Sequence, residues 1–155
     1  MTRFIDCTYQ VFNNPFLLYP ILVSFYKNIL NVNSNLLLAY VVFPLVLSKD
    51  GQNILKNLKS TSSILKLQAE NKVLIFRLNA RIDEYKMLTN NCIQYCLDNE
   101  YLLLDGVNVK VGRPISLDLK KYELYLSVRC AERLGRVLSN YDVVDVFKFL
   151  GIKKL

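Results

Sequence analysis

The sequence predicts a mainly α fold, one helical domain carrying a single β-hairpin, and three observations support it. Apolar residues recur at helical spacing over most of the 155 residues. Capping residues, prolines and polar clusters cut that pattern into segments of helical length. One stretch, about 101–111, switches to two short β-prone runs around Asp105-Gly106, the strongest local hairpin signal in the chain. A chain of this length buries roughly 68–70% of its unfolded surface, enough for a core without disulfides or metal.

The first helix starts at Asn14-Pro15, with asparagine as cap and proline at the first helical position, where its missing N–H costs nothing. It is predicted to run from about 15 to 31. The polar string Asn31-Val32-Asn33-Ser34-Asn35 then turns the chain into a helix of about 35–48. This second helix is apolar on nearly every side and so belongs in the middle of the core, and Pro44 inside it is expected to kink or end it. After Lys49-Asp50-Gly51, a short helix carries Ile54, Leu55 and Leu58 to about 59. Ser60 to Ser63 offers hydroxyl caps for a helix with Ile64, Leu65 and Leu67. Asn71 starts another, with Val73, Leu74, Leu78 and Ile82 at helical spacing. The periodicity re-phases after Asp83, predicting a separate helix of about 84–98 whose inner face is Leu88, Cys92, Tyr95 and Cys96. The hairpin follows. Ser116 is expected to cap a long helix of about 117–139, and Asp142 a final one closed by Gly151.

Helix, turn, helix and hairpin is the order of a winged helix, with 84–98 in the recognition position and 101–111 as the wing. The chain is thus expected to be a single domain, 1–155: an N-terminal arm (1–13), apolar helices (14–60), a winged-helix-like region (61–112) and C-terminal helices (113–155). The candidate recognition helix turns Thr89, Asn90, Asn91, Gln94 and Asp98 outward, with Lys86 its only cation. Affinity for DNA comes largely from neutralising phosphates. The surface therefore suits protein contact better than groove reading, and a winged-helix DNA-binding regulator is the alternative.

Composition narrows the chemistry. The chain has no histidine, so Ser-His-Asp and Cys-His machinery and imidazole-ligated zinc are excluded. No Gly-rich phosphate-binding loop is present among its five glycines. The carboxylates Asp50, Asp83, Glu84, Asp142 and Asp145 lie at helix starts or turns, as caps do. No enzyme and no cofactor are expected. The four cysteines, Cys7, Cys92, Cys96 and Cys130, form no C-x-x-C pair, and read as buried thiols in a reducing cytoplasm. The first 14 residues lack the order of a signal peptide, and the longest uncharged apolar run, Leu36 to Leu47, is too short to cross a bilayer. A membrane-associated hairpin over 15–47 is the lesser alternative to two buried helices.

Two features are candidates for binding. The net charge is +7, spread as +3 before residue 60 and +4 after it, which favours an acidic partner. Arg129, Arg133 and Arg136 fall on one face of the penultimate helix, opposite Leu124, Val128, Ala131, Leu134, Gly135 and Leu138. With Lys120 and Lys121 nearby, they are candidate contacts for DNA or an acidic protein; a solvated face tied by Glu132 to Arg136 is the plainer reading. The arm carries Phe4, Ile5, Tyr9, Val11 and Phe12, and Phe4, Tyr9 and Phe12 are candidate partner contacts if it does not pack on its own domain.

Five segments, in order, resemble a known family. They are Asn14-Pro15-Phe16; Phe43-Pro44-Leu45-Val46-Leu47-Ser48; the helix leading to Tyr101-Leu102-Leu103-Leu104 and the hairpin; Ala131-x-x-Leu134-Gly135-Arg136; and Val146-Phe147-x-x-Leu150-Gly151-Ile152. Spanning about 13–152, they resemble the middle component of three-component ABC-type systems, the small subunit of Lamassu-type anti-phage and anti-plasmid complexes. Val137-Leu138 departs from an aromatic pair frequent in that family. The resemblance implies a non-catalytic adaptor beside an SMC-like coiled-coil ATPase and an effector, often a nuclease, that is held inactive until foreign DNA is sensed. ATP and metal would then belong to the partner subunits.

Overall fold

A computed structural model describes residues 13–59, 63–70 and 72–155. The arm residues 1–12, the hydroxyl caps at 60–62 and the predicted helix start at Asn71 lie outside them. The described chain is mainly helical with one antiparallel hairpin, as the sequence predicts. Helix α1 spans Pro15–Asn28, α2 Ala39–Val46, α3 Lys49–Asn57, α4 Ile64–Glu70 and α5 Lys72–Asp98. Strands β1 (Leu102–Asp105) and β2 (Asn108–Val111) follow, then α6 (Tyr125–Leu138) and α7 (Val143–Phe149).

Local chemistry sets most of these boundaries. The Asn14 side chain accepts from the Phe16 N–H at 2.9 Å, opening α1. Ile29 is extended and buried, so α1 stops three residues before the predicted end. Ser48 caps α3 by accepting from Gly51 N–H at 3.1 Å, and Asp142 caps α7 by accepting from Asp145 N–H at 2.8 Å. At the end of α7, Gly151 has φ +65°, and the Ile152 N–H reaches back to the Phe147 carbonyl at 2.9 Å. That is a Schellman closure, and it explains why a glycine stands there. Helix α2 is preceded by a 3-10 turn over Leu36–Leu38 and ends two residues after Pro44, with Val41 to Val46 all buried.

Two sequence expectations are corrected. The chain does not break near Asp83: α5 is one helix of 27 residues. Its inner positions run Leu74, Leu78, Ile82, Tyr85, Thr89, Cys92 and Cys96, a continuous helical stripe. Thr89, predicted to face outward, is buried, and its hydroxyl finds no partner among the described residues. Polar Thr89 and half-buried Tyr85 interrupt the apolar pattern without interrupting the face, which makes one helix look like two. The helix, turn and helix step expected ahead of the wing therefore has no turn at Asp83. The predicted long helix from 117 is also shorter. Asp118, rather than Ser116, caps a 3-10 turn over Leu119–Lys121, accepting from Lys120 N–H at 3.1 Å, and α6 starts at Tyr125.

The hairpin pairs Leu102 with Val111 through Asp105 with Asn108. Its two-residue loop is Gly106-Val107, with φ +62° at Gly106, so glycine takes the first turn position as in a type II′ turn. Leu102 and Val109 point into the core. The second edge of β2 is held by the chain after α1: Val109 N–H donates to Ser34 O at 2.9 Å, and Leu36 N–H to Val107 O at 2.8 Å.

Packing centres on α1, which lies against α6 and α5, while α2 lies against α5 and α6. Buried residues from Leu18 to Leu150 form one contiguous hydrophobic cluster. A Cβ built on Gly135 of α6 would sit 2.6 Å from the Phe25 carbonyl oxygen of α1. No side chain fits between those backbones, so Gly135 sets how close the two helices come. Gly135→Ala is expected to lower stability by about 1–3 kcal/mol through overpacking, measured as a shift in the urea unfolding midpoint.

Candidate partner interface

The three arginines of α6 share a side of the helix as the sequence predicts, but each is differently engaged. Arg133 donates through Nη1 to the Leu55 carbonyl at 3.2 Å and also to the Lys56 carbonyl. These oxygens belong to the last turn of α3, where helix carbonyls lack intrahelical donors and carry partial negative charge. Arg136 donates through Nε to Asn28 Oδ1 at 3.1 Å, at the end of α1. Arg129 pairs with Glu132 at 2.7 Å, so Glu132 closes on the arginine before it rather than on Arg136. Two of the three guanidiniums thus join α6 to neighbouring helices. Arg129 and Arg136 remain exposed, as do Lys120 and Lys121 on the preceding 3-10 turn.

The end of α1 is a polar junction inside an otherwise apolar interface. Leu30 N–H donates to Ser139 Oγ at 3.0 Å, and Asn33 Nδ2 donates to the Ser139 carbonyl at 2.7 Å. Asn28 Nδ2 also donates to the Ser24 carbonyl at 2.8 Å. The start of α1 is held by rings. Tyr19 stacks on Tyr101 with centroids 4.7 Å apart, and Phe16 meets Tyr95 edge-on at 4.8 Å. This cluster joins α1 to the end of α5 and the entry to the hairpin.

Cys92 and Cys96 lie on the inner stripe of α5, and Cys130 is buried in α6. Burial pushes the thiols of Cys92 and Cys96 up to about 12 and raises Cys130 as well. These are poor nucleophiles, because the thiolate is the reactive form. Among the described residues no group of Cys, Asp or Glu is arranged to hold a metal ion. Asp142 is a cap, as predicted, and Asp50 in the first turn of α3 meets Arg81 of α5 at 3.7 Å. Burial also raises the Tyr26 and Tyr122 hydroxyls, and for Tyr19 burial acts together with the Tyr101 hydroxyl beside it.

Large apolar side chains reach solvent at several places, Phe16, Leu117, Leu126 and Val144 among them, and two groups are the most concentrated. Around the hairpin these are Val32, Leu37, Leu104 and Val107. On the first half of α5 they are Val73 and Phe76, with Met87 further along and Leu65 on α4. Leu65 and Val73, named in the sequence among the apolar residues of their helices, both face outward. Phe4, Tyr9 and Phe12, the candidate contacts of the arm, lie outside the described residues.

Residues 3–154 match the family described as ABC-three component (ABC-3C) system Middle Component 3. Neither the curated proteins nor the solved structures compared with the chain gave a match.

Arg133→Ala removes the donor to the Lys56 carbonyl and one of the two donors to the Leu55 carbonyl, which keeps the Leu58 N–H, so stability is expected to fall by about 1–2 kcal/mol. Arg129→Ala removes only an exposed pair and should change it by less than about 0.5 kcal/mol. Urea unfolding of the two variants checks the contrast. The thiols predict a pH effect. Their folded-state values lie above the unfolded ones, so their contribution to stability is complete below about pH 8.5 and is lost as pH rises towards 12. The melting temperature should fall progressively above that pH. Native protein treated with a thiol reagent at pH 8 should leave Cys92 and Cys96 unmodified by peptide mass, with both reacting after unfolding.

Proposed function

We propose, from the premise that the chain belongs to the ABC-3C Middle Component 3 family, that it is the non-catalytic adaptor subunit of its system. The observation that carries this reading is the extent of the match, residues 3–154 of this chain. A middle component implies partners within the same system. In the finer form, the partners are an SMC-like coiled-coil ATPase and an effector, often a nuclease, acting together against phage or plasmid DNA in a Lamassu-type complex.

Several features support this division of labour. With no histidine and no phosphate-binding glycine loop in the sequence, ATP and metal chemistry fall to the partners. Phe76 is 86% exposed and Val32 84%, while most other large side chains of the fold are buried. Exposed apolar groups at this density suit a subunit that completes its surface against others. The arm with Phe4, Tyr9 and Phe12 offers a further candidate contact. No described helix is long and apolar enough to cross a membrane, and the buried thiols suit a reducing cytoplasm.

A second reading, a DNA-binding regulator with a wing-like hairpin, is favoured by the exposed Lys120, Lys121, Arg129 and Arg136. Against it, the helix leading into the hairpin presents Asn90, Asn91, Gln94 and Asp98 to solvent, with Lys86 one turn earlier, a weak match for phosphates. Tagged chain recovered from its native host at moderate salt separates the readings. The adaptor predicts fixed-ratio recovery of a coiled-coil ATPase and an effector, identified by mass spectrometry. Recovery of the chain alone, bound to DNA fragments, would replace it with the regulator.

A further inference from the structure

The outward side of α5 carries a second stripe. Val73, Phe76, Ala80, Asp83 and Met87 are spaced 3, 4, 3 and 4 residues apart, and all five are exposed. Val73 is 55% exposed, Phe76 86% and Met87 75%. This spacing is the seam pattern by which one helix packs along another, and it covers about 21 Å of helix at 1.5 Å per residue. The opposite side of the same helix, through Leu74, Leu78 and Ile82, is the one that enters the core. The fold of this chain therefore accounts for one side of α5 and leaves the other unpartnered among the described residues.

Grooves flank the stripe. One, of about 610 Å³, lies between α5 and the segment after α7 and is lined by Ile75, Phe76, Asp83, Lys86, Lys153 and Lys154 among others. Asn79 holds that segment in place, donating to the Gly151 carbonyl at 2.9 Å. The other, of about 540 Å³, lies between α4 and α5, with Leu65, Ala69, Lys72 and Ile75 in its walls. Four lysines thus line the two grooves, against one acidic side chain, Asp83. None of the four is in an ion pair among the described residues.

We infer that this ridge is the docking surface for an amphipathic helix with acidic flanks, supplied by a neighbouring component of the same system. The inference rests on the adaptor reading and names the surface that reading requires. The apolar side of the incoming helix lies along Val73, Phe76, Ala80 and Met87, and its carboxylates meet Lys72, Lys86, Lys153 and Lys154. A second copy of this chain fits poorly, because it would bring the same lysines against themselves. Asp83, at a seam position, selects a partner with a cation or an amide opposite it and fixes the register.

The test uses the full chain co-expressed with the other components of its system. Three forms are compared: wild type, Val73→Glu/Phe76→Glu on the ridge, and Val107→Glu at the hairpin tip. All substituted positions are exposed, so circular dichroism melts should stay close to wild type. The inference expects the ridge variant to recover at least about tenfold less of one component, as loss of a central aromatic anchor does. Val107→Glu should recover wild-type amounts. Lysine-directed crosslinks from Lys86 and Lys153 should land in an acidic helical segment of that component, and recovery should weaken with salt. Recovery of every component at wild-type levels by the ridge variant, or equal losses in both variants, overturns the ridge and leaves the adaptor standing. Failure of the wild type to recover any component overturns the adaptor reading itself. A purified chain whose dimer is abolished by the ridge substitutions assigns the surface to a second copy. Ridge-dependent sedimentation with phosphatidylglycerol vesicles assigns it to a membrane. Either result overturns the inference.

Discussion

The close approach of α6 to α1 at Gly135 is the constraint on which the rest of the packing depends. At that point helix backbone lies against helix backbone, with Phe25 O where a side chain of α6 would begin. The approach brings Ser139 and Arg136 within hydrogen-bonding reach of the end of α1, which closes a helix terminus otherwise left with unpaired polar groups. Arg133, one turn earlier, ends α3 in the same manner. One helix thereby fixes the ends of two others. Leu134-Gly135-Arg136 combines a buried core residue, a close backbone contact and a donor to the Asn28 side chain, which is why three dissimilar residues stand together.

The same arrangement changes what the arginine stripe means. A row of guanidiniums on one helix face suggests a surface for phosphates, and the sequence pattern is the same whether the row meets solvent or a neighbouring helix end. Here Arg133 and Arg136 are partly occupied by carbonyl and amide oxygens of the chain itself. The cations left to act on a partner are more dispersed, on the 3-10 turn ahead of α6 and around the ridge of α5.

Helix α5 joins the internal architecture to the outward one. Its inner stripe holds α1 and α2 in place and ends in the ring cluster of Tyr95 and Tyr101 at the hairpin. Its outer stripe leaves Phe76 and Met87 in solvent. Apolar residues on both sides suit a helix of two interfaces, one completed by the chain and, on the proposed reading, one completed by a partner. That is what an adaptor requires: rigid support on one side and an adhesive surface on the other.

Much of this was legible in the sequence. The caps Asn14 and Asp142, the closing Gly151, the hairpin and the central position of α2 follow from local chemistry, because a cap or a turn acts within a few residues of itself. The absence of histidine likewise bounded the chemistry before any fold was known. What the tertiary structure alone decided was the destination of each side chain. Thr89 and Tyr85 sit on the buried stripe although their polarity hid it, so two predicted helices are one. Val73 and Leu65 recur with the apolar residues of their helices, yet both face outward. Gly135 and Arg133 take their roles from partners on α1 and α3, far away along the chain. Periodicity records which residues share a helix face, but it carries no information about what that face meets; only the packing of helices distant in sequence supplies it.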